Sequence, residues 1–172
     1  MQVHGKRTIA AAAFLLPVGF AHAAGSGHIG LGYAKGTTET VGGGEVEDTK
    51  AYLTAGVLQV DHFAKGASMR LGPAFGDGAI NDVFLEVRGR AGLRTQPGGF
   101  FGYGLLSARL TQWDFPVLYG GGVSLPLNDG PTHPRLYAEY VVSGGAARGG
   151  VTGLAINNYT EWSAGVRWRF GN

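Results

Sequence analysis

The sequence predicts an all-β protein: an eight-stranded antiparallel up-and-down transmembrane β-barrel. The first observation is segment 159–170, in which Trp162, Ala164, Val166, Trp168 and Phe170 share one parity and Glu161, Ser163, Arg167 and Arg169 share the other. Alternate side chains of a strand point to opposite faces, so one face suits lipid and the other is polar, as in transmembrane barrel strands. The second is glycine, which supplies 32 of the 172 residues and disfavours helices. The third is an export signal at the N-terminus.

That signal is predicted over residues 1–23, with the barrel over 24–172. Lys6 and Arg7 precede an apolar run at 8–20, and Ala-His-Ala at 21–23 has the small-x-small pattern of a signal-peptidase site. A transmembrane anchor is the alternative, but the apolar run is shorter than the roughly 20 residues that a spanning helix needs. A cleaved secretory signal peptide is therefore the preferred interpretation.

The charge balance follows from this division. The whole chain has 14 basic and 12 acidic residues, a net charge of +2, and Lys6 and Arg7 account for the excess. The balanced remainder does not indicate a nucleic-acid partner. The absence of cysteine excludes disulfides and thiolate metal sites, and no cofactor or metal is predicted.

Eight strands are predicted, each a run of alternating or β-favouring residues bounded by glycine, proline, asparagine or aspartate. They are 27–34, 50–60, 67–75, 82–94, 99–111, 115–127, 135–143 and 159–170. With both termini in the periplasm, the two longest loops, 36–49 and 144–158, would face outside and the shorter turns would face the periplasm.

Charges on four of these strands fall on one face only. The fourth strand places four charges opposite Val83, Leu85 and Val87, and the fifth, seventh and eighth strands follow the same rule. The predicted lumen charge network is Glu86, Arg88, Arg90, Arg109, Glu139, Glu161 and Arg167. Buried charges without partners cost several kcal/mol, so the network should neutralise itself. A structural network is preferred to a solute-conducting lumen because eight strands leave little bore.

A soluble barrel with its apolar face inside is the alternative fold. The bulky apolar face would overfill an eight-stranded interior, and charged residues make up only 15% of the chain, below the roughly 25% of soluble domains. Trp162 and Phe170 lie near opposite ends of the last strand, roughly 26 Å apart at about 3.3 Å per residue. The lipid-interface aromatics are predicted to be Trp162, Trp168 and Phe170.

The predicted outer loop 36–49 is acidic. Its carboxylates could attract divalent cations or basic surfaces, or they could be solvated loop charges, which is the preferred interpretation. They are Glu39, Glu45, Glu47 and Asp48.

Catalysis is not predicted. A lipid A-modifying enzyme would need a nucleophile, a base and an orienting carboxylate within reach. After the signal the chain has only His28, His62 and His133, and each is placed at the periplasmic side of the barrel. No catalytic residue is therefore assigned.

The C-terminal third resembles the YfaZ-type small outer-membrane proteins, and in part the wider class of OmpA- and OmpX-like eight-stranded barrels. The similarity lies in Gly-Gly-Gly-Val-Ser-Leu-Pro-Leu-Asn at 120–128, Pro-Arg-Leu-Tyr-Ala-Glu-Tyr at 134–140, Asn-Tyr-Thr-Glu-Trp at 158–162 and Gly-Val-Arg-Trp-Arg-Phe at 165–170. The resemblance implies a barrel of the bacterial outer membrane. It assigns no active residues.

Together these features predict a small non-enzymatic outer-membrane barrel, exported through the inner membrane of a Gram-negative cell, with a structural or surface-interaction role. A narrow pore for small solutes is the alternative. The expected partners are outer-membrane lipid, lipopolysaccharide and the barrel assembly machinery, which commonly recognises a C-terminal aromatic residue. Here Phe170 is followed by Gly171 and Asn172.

Overall fold

The computed structural model describes residues 26–40, 43–59, 63–76, 79–95, 99–111, 116–128, 134–147 and 156–170. The predicted signal peptide lies outside these residues. Among the residues described, no helix is long and apolar enough to cross a membrane.

The described residues form eight strands that close into one antiparallel up-and-down barrel, which confirms the predicted fold class. The strands are β1 Ser26–Thr40, β2 Glu45–Gln59, β3 Phe63–Gly76, β4 Ala79–Arg94, β5 Phe101–Leu110, β6 Val117–Pro126, β7 Arg135–Ala147 and β8 Ile156–Phe170. Each strand pairs with the next, and β8 pairs with β1. We call the end where β1 begins and β8 ends the terminus end, and the opposite end the loop end.

The strands are staggered around the barrel. A walk from Ser26 through directly paired residues of each successive strand returns to β1 at Gly36. Such a stagger requires the strands to tilt against the barrel axis. Depth in the lumen therefore depends on strand as well as on residue number.

Strand pairing continues well into both predicted outer loops. In β1 and β2 the ladder runs on to the pair Glu39 and Glu45, and β7 and β8 extend to Ala147 and Ile156. Main-chain hydrogen bonds need no apolar side chains. The ladder therefore extends beyond the hydrophobic alternation from which the strand ends were predicted. The loop-end connection 148–155 is no longer than the terminus-end connection 127–134, so the expected difference in loop length is absent there.

The side chains are inverted relative to a soluble barrel. The lumen side holds buried charges such as Arg70 and Glu86, at 1% and 0% exposure, whereas Leu31 and Leu106 on the outside are 53% and 61% exposed. The alternation predicted for the fourth, fifth, seventh and eighth strands has this sense throughout the described residues. The polar face is therefore the interior of the molecule.

Candidate functional site

Three carboxylates buried in the lumen organise the site. Glu86 on β4, Glu139 on β7 and Glu161 on β8 are each no more than 2% exposed. Inward parity on these strands follows from the outward parity of their apolar residues, because a strand alternates its two faces. Each carboxylate therefore meets side chains that arrive from other walls of the barrel.

Glu139 lies at the centre of this arrangement. Its Oε2 pairs with Arg70 and lies 2.6 Å from Nη1 of Arg88, and its Oε1 lies 2.6 Å from Nη2 of Arg167. The hydroxyl of Tyr103 donates a hydrogen bond of 2.5 Å to Oε1. One carboxylate thus joins residues of β3, β4, β5, β7 and β8.

Two arginines extend the network toward the loop end. Arg88 also places Nε 2.8 Å from Oε1 of Glu86. Nη2 of Arg109 lies 2.8 Å from Oε2 of Glu86 and 2.8 Å from Oε2 of Glu161, while Nζ of Lys50 lies 3.4 Å from Oε2 of Glu161. Charge-assisted contacts therefore run without interruption from Glu139 to Lys50.

Two tyrosines reach across the lumen and hold the arginines between them. The Tyr137 hydroxyl donates a hydrogen bond of 3.0 Å to the Tyr52 hydroxyl, which joins β7 to β2. The Arg70 guanidinium lies 4.1 Å from the ring centre of Tyr52, and that of Arg167 lies 3.6 Å from the ring centre of Tyr137. Stacking of guanidinium on an aromatic face is favourable, so this layer is packed as well as paired.

A glycine on β1 makes room for these tyrosines. A Cβ atom at Gly32 would lie 2.5 Å from the Tyr52 ring and would also collide with the Tyr137 hydroxyl. The small lumen face of β1 therefore receives aromatic side chains from the other strands.

All seven residues of the predicted charge network face the lumen. Six take part in the ion pairs described above. Arg90 differs, because its Nη2 lies 2.9 Å from Nε2 of His28, and it forms no ion pair with a carboxylate of the described residues.

Arg70 and Lys50 also belong to the network, although neither was among the lumen residues predicted from the sequence. Both carry a usable signal: Arg70 alternates with the apolar Met69 and Leu71, and Lys50 shares parity with Tyr52. Applying the parity test to the second and third strands would have found them.

The three predicted interface aromatics point outward. Trp162 is 66% exposed, Trp168 38% and Phe170 48%. Trp162 packs against Tyr140 in a tilted arrangement, with a ring-centre distance of 4.4 Å. Trp162 lies nearer the loop end, whereas Phe170 is the last residue of β8 at the terminus end.

The predicted acidic cluster belongs to β1 and β2, and the chain partly neutralises it. Glu47 lies 2.8 Å from Nζ of Lys35, Asp48 lies 2.5 Å from Nζ of Lys50, and Glu39 accepts a hydrogen bond from Asn158. Within the described residues, no group of three or more histidine, aspartate or glutamate side chains could hold a metal ion.

The one histidine that the structure describes, His28, is buried in the lumen and contacts a guanidinium. His62 and His133 lie outside the described residues. The described site therefore contains a network of fixed ion pairs and shows no nucleophile-base arrangement within that part of the chain.

The fold is similar to that of known bacterial barrels. The crystal structure of Ail, the attachment invasion locus protein of Yersinia pestis, matches with a TM-score of 0.55 at 18% identity, over 86% of this chain and 99% of that chain. The outer membrane protein Ail in a phospholipid bilayer nanodisc matches with a TM-score of 0.48 at 18% identity, over 85% and 99%. The outer membrane protein OprG from Pseudomonas aeruginosa matches with a TM-score of 0.37 at 14% identity, over 87% and 97%.

No protein-family model and no curated protein sequence matches the chain. The similarity to the Ail crystal structure shows a shared barrel fold. The YfaZ-type resemblance stays a prediction.

Proposed function

We propose that this chain is a non-enzymatic barrel of the bacterial outer membrane, with a closed lumen and a structural or surface-interaction role in the envelope. The observation that carries the proposal is the inversion of the barrel: the buried ionised side chains lie inside, beside a smaller apolar cluster that includes Phe101, Leu118 and Val141, and apolar side chains cover the outside. Water would favour the reverse arrangement.

The apolar outer wall supports insertion into lipid. Leu31, Leu53, Val87, Leu106 and Leu125 are 48–61% exposed and come from five different strands. A soluble monomer rarely exposes so continuous an apolar surface. The closed ladder also satisfies the backbone polar groups internally, as the hydrocarbon core demands.

Outward aromatic side chains near both ends of β8 support the same orientation in a bilayer. Trp162 toward the loop end, with Trp168 and Phe170 toward the terminus end, match the two aromatic girdles of outer-membrane barrels. The predicted signal peptide would direct export through the inner membrane. Outer-membrane lipid, lipopolysaccharide and the barrel assembly machinery are the partners we propose.

The ion-pair network supports a closed lumen in preference to a pore. Glu139, Arg88, Glu86 and Arg109 form consecutive contacts of 2.6–2.8 Å inside the barrel, and the Tyr52–Tyr137 layer crosses it. Opening a path for solutes would require breaking charge pairs that are shielded from water.

Three measurements test the proposal. The exported protein should fractionate with outer membranes and migrate differently in detergent gels before and after boiling, whereas a soluble periplasmic pool without that shift would contradict the membrane assignment. In planar bilayers it should give no stable conductance; steady channels would favour the narrow pore.

Mass spectrometry of lipid A with and without the protein should show the same acyl pattern, and a reproducible acyl change would identify an enzyme.

A further inference from the structure

We propose that the terminus end of the lumen is a binding site for an oxyanion of the phosphate class. The proposal concerns three arginines at this end, Arg90, Arg94 and Arg169, which lie outside the ion-pair network of the candidate site. It does not depend on the role proposed above for the barrel.

Five lumen-facing arginines of the described residues gather near the terminus end: Arg90, Arg94, Arg135, Arg167 and Arg169. Strand register brings them together. Arg135 on β7 is the direct cross-strand partner of Arg167, and Arg169 is the direct partner of His28. Arg167 already pairs with Glu139, and Arg135 donates hydrogen bonds to Oγ of Ser124 and to the Gly99 carbonyl. The other three arginines are the ones that have no ion pair within the described residues.

Within the described residues, the side chains around Arg90, Arg94 and Arg169 supply no carboxylate partner. Arg90 contacts the ring of His28, and Nε of Arg169 donates a hydrogen bond of 2.6 Å to Oγ of Ser26. Nε of Arg94 is buried without a hydrogen-bond partner among the described residues. None of these three arginines forms an ion pair with a carboxylate of the described residues.

At the loop end of the same lumen, by contrast, the basic side chains have carboxylate partners. There Lys50 lies 2.5 Å from Asp48, and Arg109 lies 2.8 Å from both Glu86 and Glu161. Arg90 is buried at 7% exposure, and a buried cation without an opposite charge is unfavourable. An anion from outside the described chain would remove that cost at the terminus end.

The donors suit a tetrahedral oxyanion. Arg94 on β4 and Arg169 on β8 arise from opposite walls of the eight-stranded ring and are half-buried, so solvent reaches them from the barrel end. Guanidinium groups bind phosphate through paired, charge-assisted hydrogen bonds. A phosphate has enough oxygens to engage both walls at once, which a single carboxylate does less well.

The binding test uses the folded full-length mature barrel in a non-ionic detergent, with inorganic phosphate as the probe. Isothermal titration calorimetry at matched ionic strength should show saturable binding that chloride does not reproduce. The double variant Arg94→Gln with Arg169→Gln should weaken phosphate binding at least about tenfold, since each removes charged hydrogen bonds. Lys65→Gln is the matched control, because Lys65 has the same charge at the same end but is exposed on the outer face.

A second pair of variants keeps the test interpretable if the double variant fails to fold. Arg94→Lys and Arg169→Lys keep the charge and lose the planar fork, so each should fold and bind phosphate more weakly than the parent. Heat-dependent migration in gels verifies folding in every case.

A competition experiment with lipid distinguishes a lipid headgroup from a free phosphate-bearing solute as the natural ligand. Nanodiscs with phosphatidylglycerol should compete with free phosphate in the parent but not in the double variant if a lipid headgroup occupies the site. Equal phosphate affinity with and without that lipid identifies a free phosphate-bearing solute. Binding that chloride reproduces, or that Lys65→Gln weakens as much as the double variant, would overturn the proposal.

Discussion

At the scale of single residues, Glu139 is the side chain on which the lumen most depends. It is 2% exposed and contacts Arg70, Arg88, Arg167 and Tyr103. Its charge offsets three guanidinium groups that have left water. Such a hub contributes more by preventing uncompensated charge than by the sum of its hydrogen bonds.

Replacing Glu139 by glutamine should lower the free energy of unfolding by about 3–5 kcal/mol, because buried guanidinium groups lose their counter-charge. Urea unfolding of the barrel in detergent micelles measures the change. Glu47→Gln is the matched control: it removes an ion pair to Lys35 in which the two side chains are 61% and 52% exposed, and should cost about 1 kcal/mol or less. Equal effects of the two variants would contradict the hub role.

At the scale of elements, the small lumen-facing residues of β1 leave space inside the barrel for side chains of other strands. Its inward positions include Gly30, Gly32 and Gly36, and the buried Ala34. The space that they leave is occupied by aromatic and basic side chains from other strands. Sequence periodicity alone does not predict this use of the space, because glycine is neither clearly apolar nor charged and so does not mark a face.

Gly32→Ala should destabilise the barrel by about 1–3 kcal/mol, the usual cost of overpacking, because the new Cβ would enter the space of Tyr52 and Tyr137. Urea unfolding again gives the value. Gly89→Ala is the control, since its Cβ would meet only a carbonyl oxygen of Leu106 at 3.9 Å and should be neutral or slightly stabilising. The interpretation would be wrong if Gly32→Ala were as stable as Gly89→Ala.

The β1–β2 ladder beyond the predicted strands is a second feature at this scale. Residues 36–39 pair with both β2 and β8, whereas residues 45–48 pair with β1 only. The amides that donate across these ladders should therefore exchange more slowly than those of an unstructured loop. Exchange mass spectrometry of the folded barrel tests this. Exchange as fast as in an unstructured peptide would restore the loop predicted from sequence.

At the scale of the whole molecule, the orientation of the apolar strand faces toward the outside determines the environment in which the barrel is stable. Val166 on β8 lies between Leu31 and Leu136 on the neighbouring strands, part of the outer apolar band. Only a lipid environment makes a charge in this band costly, so a substitution here separates a membrane barrel from a soluble one.

Val166→Arg should reduce the stability of the barrel in bilayers by about 2–4 kcal/mol, the cost of arginine on a lipid face near the midplane. Reversible unfolding from lipid vesicles measures it. Thr37→Arg is the control, because Thr37 has the same outward parity but lies beyond the level of Trp162 toward the loop end. Folding of Val166→Arg into bilayers as well as the parent would show that this face does not meet lipid.

The fold class, the eight strands and the facing of the charges on four of them could be predicted from the sequence, because strand parity is a local property of the chain. It identified Glu86, Arg88, Arg109, Glu139, Glu161 and Arg167 as lumen residues, and Arg90 with them. Hydrophobic alternation could not reveal how far the ladders continue, since main-chain hydrogen bonding extends to Thr40 and Glu45 without it.

Which charges meet could not be predicted from strand parity and is seen only in the folded barrel. Glu139 and Arg70 are far apart in the chain and on strands that are not neighbours, and their contact depends on the stagger with which the barrel closes. The same closure leaves Arg90, Arg94 and Arg169 at the terminus end away from the buried carboxylates. Partner choice is a non-local consequence of barrel geometry, whereas the facing of each side chain is local, and this difference separates what could be predicted from what had to be observed.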